Sequence, residues 1–509
     1  MNALAPVPHL PAQAGQGDDR PVAVVDIGSN SVRLVVYDRI SRTPVVRFNE
    51  KVMCALGKGL ERTGQLSPAG VQSAIRTLAR FGQLARAMRV AALDVCATEA
   101  SRSASNGQEF IRQAQEAVGV PISILSGQEE AYFTALGVRA GFHRPEGLVV
   151  DLGGGSLEFA RIHAGRPGES ISLPLGTLRI GDRFAGDMAA ARRHVDAMLH
   201  GIAAFLEDTV GEDLFIVGGG WRAIARVRLA MQSGPLRVLH GFAMPRSEAQ
   251  AFARELSRYD AAAMADLPGV PKRRVETFSQ ALVLFERVVR ATRPRQAVFS
   301  AFGLREGRLI RHLADAEIDQ DPLLVEAVEV GRTWNRDPAM GEALVRWTDS
   351  LFPNEELHDR RLREAACHLA DIGWRDHPDA RAHMILMALS QMPLLALDHA
   401  ERARLAYALY IRQDGPPGDP TLASLLSLVS PSERIWAERL GRALTLGFRL
   451  SGAVAEILNR AYVRQDRKTL ILGLPADGSM PFGDVVDQRL RALARAMGVA
   501  KTEVVEGGS

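Results

Sequence analysis

VVDIGSNSVRL (24–34) returns 125 residues later as VVDLGGGSLEF (149–159). Each copy is an apolar run ending in an aspartate, a glycine two residues on, a serine five residues after the aspartate, and a second β-rich run. That order is a hairpin signal with an acidic residue at the turn. Two copies of one unit at domain-sized spacing predict two related α/β domains facing each other. Each turn sets a carboxylate beside backbone N–H groups, and glycine lets a phosphate approach the backbone closely. The pair reads as a two-sided phosphate clamp. Ser29, Asn30 and Ser31 belong to the first turn, Gly153, Gly154, Gly155 and Ser156 to the second, and Asp26 and Asp151 are poised for a divalent cation.

Outward from the first copy, strand and helix alternate. TPVVRFNEKVMCAL is β-rich, and SPAGVQSAIRTLARFGQLARAM has helical spacing, with Ser67 at the N-cap and Pro68 at the first helical position. VAALDVCAT reads as a strand, NGQEFIRQAQEAVG as a helix, ISILS as a strand and GQEEAYFTALGVRAGF as a helix. A third glycine turn follows the second copy in FIVGGGWRAIARV, where Trp221 and Arg222 read as packing residues. Beyond about residue 318 the periodicity is helical throughout, until RKTLILGLP and VVDQRLRALARAMG restore a strand and a helix.

Composition narrows the class. Of 509 residues 47% are hydrophobic and 24% charged, which is ordinary for a globular chain. No run approaches the ~18 apolar residues of a membrane span, so no membrane partner is expected. The first twenty residues lack a secretory pattern and read as a disordered tail. Cys54, Cys96 and Cys367 form no CxxC pair, which fits a reducing, cytoplasmic setting. A net charge of +3 does not call for nucleic acid. Only five of the 62 basic residues are lysine (Lys51, Lys58, Lys272, Lys468, Lys501), which leaves 57 arginines spread through the whole chain.

Paired turns of this kind resemble those of the actin, hexokinase and sugar-kinase class. DIGSNSVRLVVYD, ATEASRSASN, SGQEEAYFTALGV, VDLGGGSLEF and FGLREGRL, in this order and spacing, resemble the exopolyphosphatase/guanosine pentaphosphate phosphatase (Ppx/GppA) family in its long form. The resemblance implies two duplicated actin-like (ribonuclease H-like) domains with a cleft between them, over 21–140 and 141–317. An all-α HD-like domain (318–460) and a small C-terminal α/β domain (465–505) would follow. It implies processive hydrolysis of terminal phosphate from inorganic polyphosphate with Mg²⁺, or Mn²⁺, by a homodimer. The alternatives are the 5′-phosphatase reaction on pppGpp, both activities together, or a non-catalytic sensor of polyphosphate or of pppGpp and ppGpp.

By the same resemblance Glu130 is the carboxylate that activates water, Asp151 and Glu158 serve catalysis and magnesium, and Arg102 contacts phosphate; Asp26, from the reading of the first turn, joins Asp151 and Glu158 as a metal ligand. Glu129 and Glu130 diverge by about 100° on a helix, so only one faces the cleft. Glu129 reads as a first-turn acid favoured by the helix dipole. In CHLADIGWRDH, Ala370 stands where an HD pair needs histidine, so Asp371, His368, His377 and His383 are not expected to hold a metal. Arg402, Arg404, Arg434, Arg439, Arg442, Arg460, Arg464, Arg467 and Lys468 are candidates for a basic channel wall.

Overall fold

The computed structural model describes residues 19–232, 234–480 and 482–507. The tail expected over 1–20 lies outside them but for Asp19 and Arg20. The chain divides into two compact units, one of Met1–Ser233 and Leu239–Pro322, the other of Gly234–Val238 and Leu323–Ser509.

The first unit holds two sheets. Strands β1 (Val22–Ile27), β2 (Ser31–Tyr37), β3 (Val46–Met53), β4 (Ala92–Ala97) and β5 (Ser123–Ile124) run in the order β3-β2-β1-β4-β5. Strands β6 (Gly147–Leu152), β7 (Leu157–His163), β8 (Arg166–Leu173), β9 (Asp213–Val217), β10 (Ala243–Pro245) and β11 (Gln296–Phe299) run in the order β10-β11-β9-β6-β7-β8. Read from the hairpin edge the two orders match, with β10 added antiparallel beyond β11. β1 and β6 each pair antiparallel with the next strand and parallel with the fourth of their sheet. The protein is therefore a duplicated actin-like α/β fold. ISILS contributes only the two paired residues of β5.

β1 and β6 are buried at every position except Asp26 and Asp151. A strand covered on both faces reads as a continuous apolar run, so the one polar residue in each marks where the sheet edge opens. The turns after them close identically: Gly28 N–H donates to the Ser31 carbonyl and Gly153 N–H to the Ser156 carbonyl, both at 3.0 Å. Register then separates the copies. Asp26 lies opposite Arg33, whereas Asp151 lies opposite Glu158.

Two helices exchange sheets. Gly127–Gly141 follows the first sheet in sequence, yet its Ala131, Ala135 and Val138 pack with Val149, Ala160, Ile162 and Phe215 of the second. Leu304–Ile310 follows the second sheet, yet Leu309 packs with Val22, Val24, Val35 and Tyr37 of the first. The two cross where neither carries a side chain: a Cβ at Gly137 would fall 2.0 Å from the Gly303 carbonyl oxygen, and one at Gly307 1.8 Å from that of Phe133. Buried Asp94 on β4 takes both Nε and a terminal nitrogen of Arg308, at 2.7 and 2.5 Å. Removing one partner of such a pair strands a buried charge, so the crossing is held firmly.

The second unit is mostly helical. Met340–Asp349, Leu357–His368, Arg381–Gln391, His399–Arg412 and Pro431–Ser451 share one apolar core. Strands β12 (Tyr462–Asp466), β13 (Thr469–Leu474) and β14 (Lys501–Glu506) form a sheet in that order. The helix Asp484–Ala496 joins them, its Leu490 and Leu493 in the same core as Leu470 and Leu472. No helix among the described residues is long and apolar enough to cross a membrane.

Candidate active site

The two glycine turns line one cavity of about 150 Å³, together with Asp26, Glu130, Asp151 and Glu158. Ser29, Asn30, Ser31, Gly153, Gly154, Gly155 and Ser156 all reach it. Each comes from a strand end or the turn after it, which is why short motifs found them.

Glu130 arrives through helix geometry. Ser126 caps Gly127–Gly141, and Glu129 completes a capping box: Ser126 N–H donates to the Glu129 carboxylate at 2.8 Å, and Glu129 N–H to Ser126 Oγ at 3.2 Å. With Glu129 occupied at the helix end, Glu130 turns inward and is buried. Arg102 stands behind it, donating to Glu130 Oε1 at 2.8 Å and to the Leu125 carbonyl. Arg102 is thus placed on Glu130 and not among the residues lining the cavity.

The carboxylates perturb one another. Burial pushes Glu130 up to about 8 against the hydrogen bond and charge of Arg102, helped by the charges of Asp151 and Asp26. Burial, then Glu130 and Asp151, raises Glu158 well above the carboxylate range, although Ser156 and Ser172 donate to it. Asp151 is raised by burial while Thr134 Oγ1 donates to it at 3.0 Å. Raised pKa values bring a carboxylate towards the range where a general base works best near neutral pH.

The same cavity is lined by a cationic wall of Arg33, Lys51, Arg222, Arg274 and Arg305, to which the sequence assigned no role in the site. Arg33 and Lys51 are cross-strand partners on β2 and β3. Arg305 comes from the exchanged helix, 3.8 Å from Asp26. Burial and neighbouring arginines push Lys51 down to about 6, and Arg33 and Arg222 to about 10. Arg33 and Glu158 occupy equivalent positions in the two repeats, so one substitution sets a basic residue opposite Asp26 and an acidic one opposite Asp151. Arg222, read from sequence as a packing residue, lines the cavity while donating to the Ala301 carbonyl. Its neighbour Trp221 is fully buried, with Nε1 donating to the Ala281 carbonyl.

Among the described residues no three His, Cys, Asp or Glu side chains converge into a metal cage. Asp26, Asp151 and Glu158 are nonetheless hard oxygen donors beside the phosphate turns. They fit Mg²⁺, which takes one or two carboxylates and completes its shell with substrate phosphates and water.

In the second unit Asp371 is fully buried and bound to arginine. Arg336 donates Nε and a terminal nitrogen to it at 2.9 and 2.7 Å, and Arg412 approaches at 3.5 Å. His383 pairs with Asp419 and His377 with Asp379. Four residues proposed for a channel wall are structural instead. Arg402 donates to the carbonyls of Leu389, Met392 and Leu394, and Arg404 pairs with Asp359 and Glu433. Arg434 donates to Leu426 and Val429, and Arg439 to Leu351. The forks of Arg402, Arg434 and Arg439 are thus engaged on backbone oxygens, and that of Arg404 on carboxylates. Arg442 alone of the nine lines an open groove of about 900 Å³, joined by Arg489, Arg491 and Arg495.

The fold and site define a duplicated actin-like protein whose two glycine turns close around carboxylates. The Ppx/GppA phosphatase family model matches residues 35–316, and the model for the exopolyphosphatase C-terminal region matches 323–505. The chain belongs to the Ppx/GppA phosphatase family and is a phosphatase. It is 28% identical over 318 residues to Exopolyphosphatase 1 of Mycobacterium tuberculosis, an alignment covering 60% of this chain and 91% of that protein. With Exopolyphosphatase 1 of Mycobacterium leprae the identity is 28% over 330 residues, covering 60% and 93%. The structure of an exopolyphosphatase from Cytophaga hutchinsonii superposes with a TM-score of 0.52 at 22% identity, covering 57% of this chain and 96% of that one. An Aquifex aeolicus family member gives 0.50 at 23%, with coverage of 57% and 96%. At such identities the structural likeness speaks for the fold alone.

Proposed function

We propose that this phosphatase is an exopolyphosphatase, releasing orthophosphate from the end of inorganic polyphosphate. The observation that carries the reading is one small cavity lined together by both glycine turns, by carboxylates and by five basic residues. At about 150 Å³ the cavity is smaller than the ~300–1,000 Å³ pockets of drug-sized ligands. It suits a terminal phosphate group.

Deprotonated Glu130 takes a proton from water, whose oxygen attacks the terminal phosphorus as the bond to the bridging oxygen breaks. The two turns hold the terminal group for in-line displacement. Arg33, Lys51, Arg222, Arg274 and Arg305 balance the charge gathering on the leaving oxygen, and positioning with charge stabilisation is most of what phosphoryl transfer requires. One or two of Asp26, Asp151 and Glu158 would hold Mg²⁺, or Mn²⁺, together with substrate phosphate and water; when bound the ion would supply further charge neutralisation.

The test compares kcat/KM for phosphate release from long-chain polyphosphate and from pppGpp. Preference for polyphosphate is expected. Preference for pppGpp would make the alarmone the substrate, and no release from either would leave a sensor.

A further inference from the structure

Glu99 lies between the two phosphate turns, and its carboxylate is already engaged by groups from both sides of the cleft. It is buried, 5% exposed, and lines the cavity. Ser29 Oγ of the first turn donates to Glu99 Oε2 at 3.4 Å. Arg179, from the helix Thr177–Phe184 that follows the second sheet's hairpin, reaches Glu99 Oε1 at 2.5 Å. The second turn closes on the same carboxylate: a Cβ at Gly155 would fall 1.7 Å from Glu99 Oε2 and 3.2 Å from Ser29 Oγ. Only glycine leaves room there. Leu178 N–H donates to the Gly154 carbonyl at 2.8 Å, so Arg179 is anchored to that turn through its own helix.

A serine hydroxyl, an arginine and a glycine turn converging on one oxyanion are what a phosphate would recruit. We propose that Glu99 is a resident counter-anion of the phosphate site. In the empty cleft it fills the anion position between the turns and holds Arg179 there. An entering terminal phosphate displaces it and takes Arg179 as a ligand. After hydrolysis the returning carboxylate competes with orthophosphate for the same arginine and favours its departure. Arg179 also lies 3.5 Å from Glu61, and Gly59 N–H donates to Asp182 at 2.8 Å, so the two lobes remain tied when Arg179 changes partner. The proposal rests on the two turns being the terminal-phosphate site.

The test uses the full chain and its Glu99→Gln and Arg179→Ala variants, with orthophosphate as inhibitor and tripolyphosphate as substrate. Glu99→Gln keeps the shape and removes the charge. Orthophosphate should inhibit it about tenfold more strongly than wild type, and KM and kcat for tripolyphosphate should both fall because product leaves slowly. Arg179→Ala should weaken orthophosphate inhibition about tenfold. A purely structural latch would instead lower the melting temperature of both variants and leave orthophosphate inhibition unchanged or weaker, which overturns the proposal. A wild-type crystal soaked in orthophosphate tests it without mutation: Arg179 on the phosphate and Glu99 turned away supports it, and an intact Glu99–Arg179 pair beside bound phosphate overturns it. If neither phosphate binds wild type or variant, the site reading falls and this proposal with it; equal binding by both removes this proposal alone.

Discussion

Replacing Glu130 by glutamine tests the base directly, and the structure sets both the size and the pH dependence of the loss. A carboxyl pushed up to about 8 is mostly protonated at neutral pH. About one-tenth of free enzyme would carry the base at pH 7 and about nine-tenths at pH 9. Only the deprotonated form accepts a proton, so kcat/KM for tripolyphosphate should rise about tenfold over that interval and then level. Glu130→Gln should lie about 10²–10⁴-fold below wild type at pH 9, the span of general-base contributions, and lack the rising limb. Arg102→Ala should move the limb to higher pH, because its hydrogen bond and charge hold Glu130 down.

Stability runs the other way. The folded pKa lies above the ordinary 4.5, so the folded protein binds more protons than the unfolded one between those values. Wild type should therefore lose stability as pH rises through that window, by at most about 1.4 kcal/mol per pH unit from this group. Glutamine has no such slope, so the mutant should gain in melting temperature relative to wild type from pH 5 to 8. Phosphate-release rates and thermal melts over that range check both arms. A mutant within threefold of wild type at pH 9, or a wild-type rate that falls from pH 7 to 9, would refute the assignment.

Binding of tripolyphosphate should take up close to one proton near pH 7.5, because an anion beside Lys51 restores a charge that burial and four arginines had pushed down to about 6; calorimetry in buffers of different ionisation enthalpy reads this. Activity should vanish in excess chelator and return with Mg²⁺ or Mn²⁺, and Asp151→Asn should raise the metal concentration for half-maximal rate. Arg402→Met should cost on the order of 3 kcal/mol in denaturant unfolding, since three carbonyls lose their donor. A channel-wall role would instead appear as weaker long-chain kinetics at unchanged stability. Reversing charge at Arg442, Arg489, Arg491 and Arg495 should impair long polyphosphate far more than tripolyphosphate and flatten the salt dependence, by analogy with nucleic-acid backbones; equal losses at both lengths would exclude a polyanion path there.

The duplicated turns were legible in sequence because their parts are local. A strand end, its aspartate and the turn lie within a dozen residues, and the period of 125 exposes the second copy. Glu129 and Glu130 could be told apart for a similar reason: helical geometry sends neighbours to different faces, and a serine three residues before Glu129 completes its cap.

The cationic wall depended on tertiary structure. Its five members span residues 33 to 305; Arg33 and Arg305 lie inside quoted motifs, yet nothing local says that their side chains meet in one cleft. Arg402 and Arg439 look the same in sequence, yet their forks end on buried carbonyls. Glu99 lies in ATEASRSASN with no role assigned from sequence, and the fold brings Arg179 to it from eighty residues away. Apolar patterning is set by neighbours along the chain and can be read there. The partner of a charged group is set by which strands pair and which helices cross. In this protein that is decided where Gly137 and Gly307 let two helices exchange sheets, bringing Arg305 to one cleft with Glu130.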